Sequence, residues 1–324
     1  MWRSRGRIQI GTEYDSNIRE DYDDPTESNS MRLMFQYRGA KKSYIRLSYQ
    51  GGYQGYWKHS EENKLINDLS VSSNVRVSKR LYVGVETRGR LKIFLNDIYD
   101  YAAGHAHAFI DISLARTWVT RMAYGREALD YEDTDTFDYS GWYVRGSIKN
   151  QLSKLFSLKT SISTRNLTYA RPAFGYDRVD AFWYTAAPEQ KDNIYQFLAL
   201  CEVKKYLLCN FSYSFERNNS NSYGFSYVRH RLQVVCGTHL FKTTMLRLLA
   251  TFQSKKYSED LRPFIPLELD TEREQSNFIV ADISYSIMKD LCGIMRIAWY
   301  NNESPLRSLY YNKFTASISF EQRL

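Results

Sequence analysis

The strongest constraint on this chain is a two-residue beat. Leu81, Val83, Val85, Thr87, Gly89, Leu91 and Ile93 share one parity, while Gly84, Glu86, Arg88, Arg90 and Lys92 share the other. A backbone whose side chains alternate sides every residue turns that pattern into two unlike faces, one apolar and one charged, which is a β-strand and not a helix. Stretches of this kind recur along the whole 324-residue chain.

Alternation marks sixteen strand candidates, from 5–17 and 30–39 at the start to 291–301 and 310–321 at the end. The breaks between them are alternately short and long. Short breaks such as Lys41-Lys42, Ser78-Lys79-Arg80, Lys204-Lys205 and Met288-Lys289-Asp290 carry basic residues; long ones include Ile18 to Ser28, Asn96 to Tyr101, Ala170 to Asp192, Ser258 to Gln275 and Asn302 to Leu309. Strict alternation puts both chain ends on the short-turn side and requires an even number of strands. The expected fold is all-β: a transmembrane antiparallel up-and-down β-barrel of about 16 strands, with residues 1–324 forming one barrel domain and the short turns on the periplasmic side.

Composition agrees with a wall that is wet on one side. Only alternate residues need be apolar, so the mean hydropathy stays low and no helix-length apolar run occurs. A soluble β-sandwich would also alternate, but it does not account for the long strands, the unbroken loop rhythm or the aromatics near strand ends, Tyr53, Tyr56, Trp57, Trp142, Tyr213, Phe215 and Trp299, which suit interfacial girdles. Met1 to Arg7 lacks the apolar core of a signal peptide and runs directly into a strand. The expectation is that a signal peptide, or a longer periplasmic portion, belongs ahead of the barrel.

The formal charge of +8 would suit nucleic acid, anionic lipid or an acidic solute, and strand parity decides among them. If the apolar face meets lipid, the pore-lining bases include Arg46, Arg76, Arg88, Arg90, Lys92, Arg145, Lys159, Arg165, Arg229, Arg231, Arg247 and Arg296. They outnumber the inward acids Glu13, Asp68, Glu86, Asp111, Glu127, Glu202, Glu216 and Asp282. A positive wall attracts anions, and arginine's fork suits carboxylate, sulfate or phosphate groups on a passing solute. Pairing with wall carboxylates, which would merely brace the barrel, is the competing role for each base. Phe174, Tyr176, Phe182, Trp183 and Tyr184 fall in the long break at 170–192, which is too aromatic for a simple solvated tip. That loop is expected to constrict the lumen, to grip sugar rings over the mouth, or to pack on itself.

Other chemistry finds little support. Cys201, Cys209, Cys236 and Cys292 show no C-x-x-C spacing; if Val203 pairs with Leu207, Cys201 and Cys209 come opposite one another, so a cross-strand disulfide stands as an alternative to free thiols. His105 and His107 share the inward face without a third ligand, and neither His230 nor His239 has a triad-like partner. No enzyme activity, metal, cofactor or nucleic-acid partner is expected.

Tyr14-Asp15-Ser16-Asn17, Phe215 to Asn221 and Tyr300 to Ser304 each close a strand on an aromatic followed by polar turn formers. With these ends and the strand rhythm, the chain resembles Gram-negative outer-membrane β-barrel proteins, in particular sixteen-strand porin-like channels and the barrels of exopolysaccharide exporters. Tyr311 to Phe320 is similar to the C-terminal signal read by the outer-membrane insertion machinery, except that Glu321 to Leu324 follow the aromatic. The resemblance implies a bacterial outer-membrane location, contact with outer-membrane lipid and lipopolysaccharide, and handling by that machinery. It also implies a channel passing or exporting an anionic solute or polysaccharide, with room for a periplasmic partner. A plugged structural or docking barrel in an outer-membrane assembly is the alternative.

Overall fold

A computed structural model describes the chain except residues 1, 21–24, 42–43, 96–99, 133–134, 178, 181, 260–276 and 303–310. The strands are β1 (Trp2–Asp15), β2 (Ser28–Lys41), β3 (Ile45–Tyr56), β4 (Lys64–Arg76), β5 (Leu81–Phe94), β6 (Tyr101–Ser113), β7 (Trp118–Tyr131) and β8 (Tyr139–Gln151). They continue as β9 (Phe156–Asp177), β10 (Phe182–Lys204), β11 (Leu208–Ser220), β12 (Tyr227–His239), β13 (Thr244–Tyr257), β14 (Asn277–Ser286), β15 (Leu291–Asn302) and β16 (Tyr311–Arg323). Each pairs antiparallel with its sequence neighbours, and β1 pairs with β16, so all sixteen form one closed ring without an edge. Closure satisfies every ladder hydrogen bond within the wall, which is what a strand needs in order to cross hydrocarbon.

The exterior is an unpartnered apolar surface. Val85, Met122, Ile162, Ile297 and Ile318 are all more than half exposed, and a surface of this kind all round the ring belongs in lipid rather than water. No helix among the described residues is long and apolar enough to cross a membrane. Tyr56 departs from the girdle expectation: it lies at an inward position of β3 and is buried. Trp57, next to it, is exposed.

The strand ends on the long-loop side share a local device. The amide of Tyr56 donates to Asn63 Oδ1 at 2.7 Å, that of Phe94 to Asp100 Oδ1 at 2.6 Å, and that of Tyr131 to Asp138 Oδ1 at 2.8 Å. A short acceptor just before the next strand thus satisfies a donor at the end of the last one. In the Tyr300 to Ser304 copy, Glu303 and Ser304 lie outside the described residues, as does most of the breaks at 96–101, 258–275 and 302–309.

Two expectations are corrected. The turn after β10 lies one residue later than a Val203–Leu207 pairing places it: Val203 pairs with Cys209 and Lys204 with Leu208, so Cys201 sits opposite Phe211. Cys209 instead meets Cys236 across β11 and β12, and these two form a disulfide while Cys201 and Cys292 are free. A slip of two residues keeps every side chain on its face but changes each partner. The second correction concerns the aromatic segment, taken up below because it shapes the mouth of the barrel.

Candidate functional site

The lumen is where strands far apart in the ring share one space. Asp68, Arg88, Arg90, His105 and Glu127 border a cavity of about 640 Å³ together with Arg231. Arg88 is on β5 and Arg231 on β12, seven steps round a ring of sixteen, so only the barrel interior can hold both. This fixes the charged parity of β5 and β12 as inward, and the ladder registers carry that assignment round the wall.

Several wall carboxylates hold two basic groups each. Asp68 takes Arg90 Nε at 3.0 Å and Arg88 Nη2 at 3.6 Å. Glu216, whose side chain is 2% exposed, takes Arg165 Nη2 at 3.0 Å and Arg229 Nη2 at 2.8 Å, and also accepts from Tyr227 Oη at 2.8 Å and Gln196 Nε2 at 3.3 Å. Asp282 accepts from Arg296 Nε at 2.6 Å and pairs with Arg247. Arg121 forks onto Asp111 at 2.6 and 2.7 Å. One carboxylate shared by two guanidinium or ammonium groups braces neighbouring strands, and each such triad keeps one uncompensated positive charge.

Four other wall bases stand apart from these pairs. Among the described residues, Arg46, Arg145, Lys159 and Arg231 make no carboxylate contact; Arg145 lies 5.6 Å from the Tyr143 ring centroid, and Arg231 Nε is buried without an acceptor. Arg76 caps the short-turn side, donating to the carbonyls of Ser78 and Lys79 at 3.0 and 3.4 Å. Lys92 is sequestered, with its ammonium 4.4 Å from the Phe94 centroid. His107 faces Tyr143 Oη at 2.9 Å and Glu86 at 3.9 Å and stacks on His105. No group of three or more ligating side chains among the described residues fits a metal ion.

The aromatic segment at 170–192 is a β-hairpin that continues β9 and β10, not an irregular loop. Trp183 pairs with Tyr176, Tyr184 with Gly175 and Thr185 with Phe174, beyond a register irregularity between Thr185 and Lys191. β8 ends its pairing at Tyr139 opposite Tyr169, and β11 at Ser220 opposite Asp192, so this hairpin rises above its neighbours. It is held from the side, where Phe174 stacks on Phe225 and Tyr176 on Tyr223, and the Tyr223 amide donates to the Phe174 carbonyl at 2.9 Å. Phe182 and Tyr184 remain about half exposed. Arg171, which the sequence did not single out, anchors the base: it is buried, 4.5 Å from the Phe225 centroid, and donates to Gln190 at 2.9 Å. Burial beneath aromatics leaves no sequence signature of its own.

Solved structures place this architecture. The chain superposes on OccK2 (OpdF) of Pseudomonas aeruginosa with a TM-score of 0.50, at 8% identity over 99% of this chain and 98% of that one. The outer membrane protein opdK of Pseudomonas aeruginosa matches with a TM-score of 0.50, at 9% identity over 99% of each chain. The fold is that of a bacterial outer-membrane β-barrel. A bacterial polysaccharide outer membrane secretin aligns over 98% of both chains at 10% identity, but its TM-score of 0.45 is too loose to bear on function. No protein-family model matches the chain, and no curated protein does. At these identities the likeness concerns the barrel alone, and its chemistry rests on the wall residues themselves.

Proposed function

We propose that this barrel is a non-enzymatic outer-membrane channel whose basic lumen passes or exports anionic solutes. The observation that carries the reading is the set of wall cations without carboxylate partners among the described residues, Arg46, Arg145, Lys159 and Arg231, beside the pairs of bases that share Asp68, Glu202, Glu216 and Asp282. Sixteen strands leave room for a water-filled path, and unpaired fixed cations raise the local concentration of anions inside it. An anionic polysaccharide is the more specific cargo, since Arg88 with Arg90 and Arg229 with Arg231 form successive rungs that would each hold a carboxylated sugar weakly and release it.

The test is current through single barrels in planar bilayers. Oligomers of an acidic sugar added to one side should block that current, while neutral oligosaccharides of equal length should pass without effect. Equal block by both would remove the charge argument. A barrel that inserts but carries no current would favour the plugged docking role instead.

A further inference from the structure

The outer wall holds a feature that the channel does not use. Across β7 to β11, Met122, Gly146, Ile162, Phe197 and Phe215 fall in one continuous cross-strand row on the lipid side. Gly146 leaves a gap at its centre: a Cβ built there would meet only Ile162 Cγ1, at 3.9 Å. The result is an apolar groove of about 540 Å³ whose walls also include Val144 and Tyr195.

Polar groups crown this groove on the long-loop side, which is the outer leaflet. One row above, Arg217 stands directly opposite Tyr195. A further row up, Arg126, Trp142, Asn166 and Asn193 are again paired in sequence across the strands, with rows spaced roughly 6.6 Å apart. Arg126 makes no ion pair or hydrogen bond among the described residues, and Arg217 donates only to Asn219, at 2.9 Å. Lys191, exposed, follows Asn193 on the same face. Arginines turned outward at the margin of a lipid-facing wall, one of them without a partner, need an anion at headgroup depth. Guanidinium forks match phosphate oxygens, Trp142 and Tyr195 suit the interface, and the groove beneath lies where acyl chains run.

We infer that β7–β11 form a binding site for a phosphorylated acyl lipid of the outer leaflet, of the lipid A class, with its phosphates on Arg126 and Arg217 and an acyl chain in the Gly146 groove. Charge complementarity selects this occupant over a second copy of the chain, which would bring another apolar wall and leave the arginines unpaired. The site is independent of conduction through the lumen.

The test measures binding of diphosphoryl lipid A to the purified full chain in detergent, by native mass spectrometry, against phosphatidylethanolamine as the zwitterionic comparison. Two variants separate the two halves of the site: Arg126→Gln with Arg217→Gln removes charge, and Gly146→Leu fills the groove with both arginines intact. Heat-modifiable gel mobility reports folding in each. Folded variants should each bind lipid A at least about tenfold more weakly, and phosphatidylethanolamine should bind the unsubstituted chain no better than it binds the arginine variant. Lipid A binding within twofold of the unsubstituted chain in both variants would overturn the site. Dissociation of a dimer or trimer by Gly146→Leu would overturn it too, by showing that another copy fills the groove.

Discussion

Lys149 and Lys159 stand directly opposite one another across β8 and β9, both on the lumen face. Glu202, 3.5 Å from Lys149 Nζ and also 3.4 Å from Lys204, answers one of them; Lys159 makes no ion pair among the described residues, and its charged neighbours are Arg121, Arg145 and Lys149 with Asp111 as the one acid. Like charges set opposite in a ladder cost stability, so this pair marks a place where the wall gives up strand pairing energy to keep positive charge in the pore. Lys159→Glu should therefore stabilise the folded barrel by about 0.2–1 kcal/mol while reducing its preference for anions. Urea unfolding in detergent paired with bilayer selectivity checks both; a variant less stable and equally selective would contradict it.

Glu216, two strands further round on β11, is a hub of the same side of the wall. Glu216→Gln leaves Arg165 and Arg229 without their shared countercharge in a buried setting, and the loss should be about 3 kcal/mol, the scale for breaking a buried pair by removing one partner. Equilibrium unfolding in detergent reads it. A change within experimental scatter would mean that water or ions screen the hub fully.

Wall polarity predicts unequal tolerance to charge. Val85 faces out and is 57% exposed, so Val85→Arg should cost roughly 2–4 kcal/mol near mid-membrane and slow insertion into vesicles. Replacing Arg88, Arg90, Arg229 and Arg231 together with Gln should leave insertion intact. The reverse ranking, read by protease protection after refolding into vesicles, would invert the faces.

The Cys209–Cys236 bond joins positions 27 residues apart, and reduction should lower unfolding stability by about 2–4 kcal/mol. Alkylating the unfolded, unreduced chain should label Cys201 and Cys292 and spare Cys209 and Cys236. Labelling at Cys209 would contradict the pairing.

Strand parity was legible in the sequence because period two survives any error in strand ends, so the inward positions of Arg88, Arg231 and Glu216 follow from alternation alone. Register was not. A tight turn closes in several lengths, and the choice that moved Cys201 from Cys209 to Phe211 leaves hydrophobic patterning unchanged. The hairpin at 170–192 was hidden for a different reason: the irregularity between Thr185 and Lys191 breaks the beat, and Arg171 and Pro172 look like loop formers. The aromatic and β-branched run from Phe182 to Thr185 was the available strand signal. Which bases stay unpaired depends on contacts between strands, and a single sequence does not contain those distances.

If unpaired cations set the lumen's selectivity, the reversal potential of single barrels under a salt gradient reports it. The unsubstituted chain should show a potential of the sign for anion permeation, and Arg46→Gln, Arg145→Gln, Lys159→Gln and Arg231→Gln combined should move it toward zero while the barrel still folds and conducts. A cation-selective potential in the unsubstituted chain, or the same anion preference after all four replacements, would show that these cations do not set the selectivity.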